Sequence, residues 1–145
     1  MKKILFVALG IIFSFQLNAQ DWQTNLDTAK SLAQQKQEPI ILVFQGSDWC
    51  APCIKLDREV WSSETFKNYA KEHYVMLQAD FPKKKKNALP ETQQRQNQLL
   101  AEKYNKQGIF PFVVILDSEG KVLGETGYKK LTPQAYINHL NTFIK

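Results

Sequence analysis

Cys50 and Cys53 are the residues whose type and spacing carry the clearest chemistry in this chain. Three apart at the start of a helix, they put both sulfurs on one helical face, close enough for a disulfide. Cys50 falls where unpaired backbone N–H groups and the helix dipole favour a thiolate over the ordinary thiol of pKa ~8.5. At the helix start its sulfur is expected to be exposed. Pro52 suits the first helical turn because it has no N–H to leave unpaired. Other chemistries compete for the pair. A passive bridge closing so short a loop constrains the unfolded chain little and adds little stability. Zinc needs two more ligands, and the chain offers only His73 and His139. A soft ion such as Cu(I) is physically allowed at paired thiols. A cysteine hydrolase needs a base beside Cys50 and leaves Cys53 without a task.

The pair needs a strand to present it and a helix to begin at it. Ile40–Phe44 is a continuous apolar, β-branched run, as expected of a strand buried on both faces. Gln45-Gly46-Ser47-Asp48 breaks the run. A helical pattern follows from Ala51 to Tyr69 with Leu56, Val60 and Trp61 on its apolar face, and Ser62-Ser63-Glu64 offers a kink or a second cap. Upstream, Trp22, Leu26, Ala29 and Ala33 recur at helical spacing and predict an amphipathic helix over 22–36, closed by Pro39. Trp22 is expected to pack in the core at one end of the sheet.

Downstream, Tyr74–Ala79 reads as a strand. Phe81–Gln98 reads as an exposed loop leading into a helix whose buried face is Leu99, Leu100 and Tyr104. Within that loop Lys83–Lys86 reads as a solvated charge run, with steering of an acidic partner as the alternative. Phe112–Leu116 and Lys121–Thr126 form a hairpin about Asp117-Ser118-Glu119-Gly120. Thr132-Pro133 starts a last helix with Tyr136, Leu140 and Phe143 on one face. The order predicts an α/β fold with a mixed sheet and helices on both faces.

The chain has 145 residues with 43% hydrophobic and 23% charged, which is one ordinary globular domain and neither a disordered nor a repetitive chain. Lys2 and Lys3, the apolar stretch Ile4–Phe15 and the small residue Ala19 have the layout of a secretory signal peptide over residues 1–19, followed by one domain over 20–145. The apolar stretch is shorter than the roughly 20 residues of a membrane span. Losing Lys2 and Lys3 takes the formal net charge from +5 to +3, too mild for a dedicated nucleic-acid binder. Both cysteines would then work outside the cytoplasm, where disulfides persist.

Trp49-Cys50-Ala51-Pro52-Cys53 after a buried strand resembles the active-site signature of the thioredoxin superfamily. Phe110-Pro111-Phe112 before the later strand resembles that family's cis-proline loop, and the likeness covers residues 37–145. In particular the chain is similar to exported bacterial thioredoxin-like proteins whose strand ends in Phe-Gln-Gly-Ser-Asp-Trp-Cys. The resemblance implies a thioredoxin fold and an exported thiol–disulfide oxidoreductase, periplasmic or secreted, acting through a Cys50–Cys53 dithiol/disulfide cycle. Cys50 would be the attacking thiol and Cys53 the resolving one. Trp49, Phe110 and Pro111 would hold the substrate polypeptide, with Pro111 in a cis bond. Ala-Pro between the cysteines resembles the reductant branch. No cofactor or metal is implied. The partners would be protein thiols and disulfides and an unidentified redox partner, the protein acting as a monomer. The alternative is a non-catalytic module of the same fold that binds a protein or a soft metal. Two departures stand out. Phe44 occupies the place of a buried acid that assists proton transfer to the second thiol, leaving water, Lys55 or Asp48 for that task. Gly108 and Ile109 replace the usual Val-x-Gly order before the proline.

Overall fold

The computed structural model describes residues 20–145; the predicted signal peptide lies outside them. The strands are β1 (Trp22–Gln23), β2 (Ile40–Gln45), β3 (Val75–Asp80), β4 (Phe112–Leu116) and β5 (Val122–Thr126). The helices are α1 (Leu26–Lys36), α2 (Ala51–Leu56), α3 (Glu64–His73), α4 (Glu91–Tyr104) and α5 (Pro133–Asn141). The strands form one sheet in the order β1-β3-β2-β4-β5. β1 and β2 run parallel to β3, whereas β4 is antiparallel to β2 and β5 to β4. This is the expected mixed sheet.

Alternation along β2 sends successive side chains to opposite faces, and both faces are covered. Ile40, Leu42 and Phe44 meet Ala29 and Ala33 of α1 and Leu100 and Tyr104 of α4. Ile41 and Val43 meet the layer formed by α2, α3 and α5. At the centre of that layer Trp61 is 1% exposed and makes edge-to-face contacts with Phe66, Tyr136 and Trp22 at centroid distances of 4.7, 5.3 and 6.2 Å. Burial holds the Tyr136 hydroxyl un-ionised, well above its usual range, and that hydroxyl donates to the Gly127 carbonyl at 2.8 Å.

Several elements differ from the pattern in the sequence. Trp22 belongs to β1, paired with Met76, and the helix starts only at Leu26, capped by Asn25. Trp22 nevertheless packs against the core. The helix after Cys50 breaks at the second cap offered by Ser62-Ser63-Glu64, which is as expected, but the turn before that cap is not α-helical. A single π-helical turn, Asp57–Trp61, follows α2 and lets Leu56, Val60 and Trp61 all face the core at spacings of four and five. Ser63 then caps α3, its hydroxyl accepting the Phe66 N–H at 3.2 Å. The helix after the lysine run begins at Glu91, earlier than expected, and its buried face is Asn97, Leu100 and Tyr104. Leu99 points outward, 51% exposed. Tyr136 and Leu140 are buried as expected, and Phe143, past the end of α5, lies half-buried against Gly124. The hairpin turn is as predicted. Gly120 has φ 88°, and the Asp117 carboxylate accepts the N–H groups of Glu119 and Lys121, each at 2.9 Å.

Because Trp61 joins β1, α3 and α5 in one aromatic cluster, Trp61→Ala should lower unfolding stability by ~3–5 kcal/mol. Urea unfolding of the reduced and oxidised forms should show the same loss in both, since the cluster lies apart from the cysteines.

Candidate functional site

The ladder between β2 and β3 runs to Gln45 opposite Asp80, so both chains leave the sheet at the same end. The two departing segments are stitched together. Phe81 N–H donates to the Gln45 carbonyl at 2.9 Å. The Asp80 carboxylate accepts the Ser47 N–H at 2.9 Å and the Ser47 hydroxyl at 2.6 Å. Asp48 reaches the other way, accepting the N–H groups of Lys83 and Lys84 at 2.9 and 3.0 Å and the Asn87 amide at 2.9 Å. The Lys83 N–H and the Asn87 amide, helped by Lys84, hold the Asp48 carboxyl below its usual range. The Trp49 indole N–H donates to the Phe81 carbonyl at 2.7 Å.

Within the turn, the Gly46 carbonyl accepts the N–H groups of Trp49 and Cys50 at 3.3 and 2.9 Å. The Trp49 indole lies directly on Gly46, where a Cβ would overlap it, so a glycine is required by close approach. Cys50 is the N-cap of α2, in extended conformation, and its sulfur accepts the Cys53 N–H at 3.3 Å. The two cysteines are joined in a disulfide with Cα atoms 5.2 Å apart. Cys50 is 4% and Cys53 2% exposed, so the expected exposure of Cys50 is not found in the oxidised pair. Its sulfur is turned back to the helix N–H and shared in the bridge.

The second half of the site arrives on the loop before β4. The Phe110–Pro111 peptide bond is cis, and Pro111 is buried. The Phe110 ring meets Trp49 and Phe81 edge-on, each at 5.5 Å, which brings this loop against the residue beside Cys50. Asn105 shapes the loop, accepting the Ile109 N–H and donating to the Ile109 carbonyl, both at 2.9 Å, while Gly108 takes φ 65°. The sequence reading missed Asn105, whose sole cue is an Asn just after a helix and shortly before a glycine. Ile54, Ile109 and Trp49 remain 44, 43 and 38% exposed.

The structure therefore brings Trp49, Cys50, Cys53, Phe110 and Pro111 into one region. It does not bring Lys55 or Asp48 to the sulfurs by any bond. Lys55 pairs with Glu59 at 4.0 Å and lies over the Tyr128 ring, and Asp48 holds the lysine loop. Phe44 is fully buried in β2, stacked on Phe112 at 6.3 Å. His73 stacks on Tyr69, and His139 shares a hydrogen bond with Thr126 at 2.9 Å. Burial, aided by Lys129, lowers the His139 pKa. Among the described residues no three His, Cys, Asp or Glu side chains converge as metal ligands.

The sequence model of a family described as thioredoxin-like matches residues 21–118. The chain belongs to the thioredoxin-like family. Disulfide bond reductase DsbH of Chlamydia pneumoniae is 40% identical over 119 residues, spanning 81% of this chain and 70% of that protein. The solved structure titled DsbH Oxidoreductase superposes with a TM-score of 0.80 at 33% identity, over 97% of this chain and 94% of its own. A thioredoxin from Thermus thermophilus, at 18% identity, shares the fold with a TM-score of 0.60 over 83% of this chain and 84% of its own.

The stitching by Asp48 has a direct test. Asp48→Ala should speed hydrogen exchange at the Lys83 and Lys84 amides and tryptic cleavage within 83–86. The carboxyl pKa is lowered by folding, so in the wild type the tie is complete above the ordinary value of 3.8 and is lost as pH falls through the lower folded value. Amide exchange that is identical in variant and wild type at neutral pH would show the loop to be held by other means.

Proposed function

We propose that this protein is an exported thiol–disulfide oxidoreductase that reduces protein disulfides through Cys50 and Cys53. One thioredoxin-like domain over 20–145 would follow a cleaved signal peptide over 1–19. The observation that carries the reading is the bridged pair at the start of α2, with the Cys53 N–H aimed at the Cys50 sulfur and the cis Phe110–Pro111 loop packed on Trp49. Kinship with a disulfide bond reductase supports the direction of the reaction.

In the reduced protein the Cys50 thiolate attacks one sulfur of a substrate disulfide. An S–S bond forms between Cys50 and the substrate, and the other substrate sulfur leaves as a thiolate that takes a proton. The Cys53 thiolate then attacks the Cys50 sulfur, the mixed disulfide breaks, and the second substrate sulfur leaves. The substrate has gained two electrons and two protons, and the Cys50–Cys53 bridge has re-formed. An external dithiol must reduce it again. The N–H of Cys53 favours the Cys50 thiolate by a charge-assisted hydrogen bond at the helix start. Exposed Trp49, Ile54 and Ile109 offer apolar contact to a polypeptide, and Phe110 and Pro111 provide the backbone against which it lies.

Insulin reduction driven by dithiothreitol tests the activity. Cys50→Ser should abolish catalysis, and Cys53→Ser should accumulate mixed disulfides because the resolving step is gone. Normal turnover by Cys53→Ser would exclude the two-thiol cycle, and wild type that does not hasten insulin precipitation would leave a binding module of the same fold.

Position 44 gives a second test. A carboxylate there would accept a proton from the resolving thiol, so Phe44→Asp should accelerate release of the mixed disulfide above neutral pH. It should also cost at least ~3 kcal/mol of stability, since a fully buried ring is lost and a charge buried. Single-turnover release measured against pH decides. A folded variant with an unchanged profile would mean that position 44 has no part in proton transfer.

A further inference from the structure

Lys83–Lys86 place four exposed lysines in succession, the first of them against Trp49, and the exchange chemistry uses none of them. The segment is solvated, as expected, but not loose. Its backbone is fixed by Asp48 through the Lys83 and Lys84 N–H groups and the Asn87 amide, and Lys85–Asn87 close a 3-10 turn. Fixing the loop by its N–H groups leaves the side chains free to project. Lys83 sits 3.9 Å from the centre of the Trp49 ring, so the strip begins at the residue next to Cys50.

Its charge is matched locally only in part. None of the three salt bridges among the described residues involves these lysines. The carboxylates bonded to this region, Asp48 and Asp80, offset two of the four positive charges, and both already accept hydrogen bonds from Lys83, Lys84, Asn87 and Ser47. From 81 to 98 the chain carries Lys83–Lys86 and Arg95 against Glu91 alone. Beside the strip lies a cleft of about 410 Å³ lined by Phe81, Pro82 and Leu89, by Lys83, Lys84 and Lys85, and by Asp80, whose carboxylate is taken up by Ser47. Like charges crowded on a fixed backbone repel each other and are relieved by a ligand of opposite sign.

We infer that this strip and cleft dock an acidic segment of the substrate polypeptide, close to the disulfide that is to be reduced. The inference rests on the oxidoreductase reading for its context, but docking is measurable without turnover. An extended peptide suits both features, since carboxylates meet the ammonium rim and an intervening apolar side chain meets the wall. The contact acts at the encounter and in substrate affinity, and leaves the thiol chemistry alone.

The test uses three disulfide peptides of one core sequence, extended by four Glu, four Gln or four Lys, and the variant Lys84→Gln/Lys85→Gln/Lys86→Gln. Lys83 is kept because it contacts Trp49. At low salt the wild type should show about tenfold higher kcat/KM for the Glu peptide than for the Gln peptide, mainly through KM, and the preference should collapse at high salt. The triple variant should reduce the Gln peptide as the wild type does and lose the preference. Fluorescence anisotropy with a Glu peptide whose cysteines are replaced by Ser reads docking on the oxidised protein even if no peptide is reduced. That peptide should bind the wild type at least fivefold more tightly than the variant. Equal binding to both, or an equal kcat/KM for Glu and Gln peptides at low salt, overturns the inference. So does tighter binding of anionic phosphatidylglycerol vesicles or single-stranded DNA than of the Glu peptide, which would assign the strip to a lipid surface or a nucleic acid.

Discussion

The parallel ladder of β2 on β3 ends with Gln45 opposite Asp80, and everything chemical in the molecule hangs on the two segments that leave there. At the carboxyl end of parallel strands the departing chains must find partners for backbone groups that the sheet no longer satisfies. Here they find each other. Asp80 serves the Ser47 turn, Asp48 serves the lysine loop, and Trp49 bonds to Phe81. Trp49 is thereby held over Gly46, and the chain enters α2 with Cys50 as its cap. A shift of one residue in this register would exchange the two covered faces of β2 and misplace both carboxylates.

The disulfide lies at a boundary between two kinds of surface. Cys50 and Cys53 are almost fully buried, while Trp49, Ile54 and Ile109 around them leave apolar area in water. Such area is unfavourable in an isolated protein and becomes favourable when a polypeptide covers it. The aromatic contacts of Trp49 and Phe81 with Phe110 tie the loop before β4 to this rim. The cis peptide bond and the cysteines thus share one support, although Pro111 lies about sixty residues from Cys50 in the chain.

Much of this was legible in the residue order because it is local. The buried run of β2, the cap and spacing of the cysteines, the Ser63 break and the hairpin at Gly120 each follow from neighbours within a few residues. What was not legible depends on distant pairing. Trp22 has helical spacing to Leu26, yet its strand is decided by Met76, far along the chain. Leu99 reads as a core residue by type, but the face turned inward by α4 contains Asn97, whose amide donates to the Asp80 carbonyl at 2.8 Å. A polar residue that is buried because it has a partner breaks the apolar pattern from which a face is read. Asp48 looked like a proton carrier for the second thiol. Its contacts lie 35 to 39 positions away, and no local signal announces them.

The placement of charge around the cysteines has a consequence for the resolving step. With Phe44 stacked on Phe112, the interior of β2 carries no acid at that position. Asp48 and Asp80 commit their oxygens to N–H and O–H donors, and Lys55 is held by Glu59 and Tyr128. The side chains the sequence offered as proton carriers are thus held elsewhere, none of them bonded to the cysteines. A buried carboxylate, when ionised, would also disfavour a nearby thiolate. An apolar ring removes that repulsion together with the base. Loss of an internal base slows deprotonation, while loss of the repulsion makes the thiolate easier to form, so the two effects of Phe44 oppose each other. Both effects need the acid to be ionised, so a carboxyl at position 44 would act only above its own pKa, and below it a protonated acid would neither take the proton nor repel the thiolate.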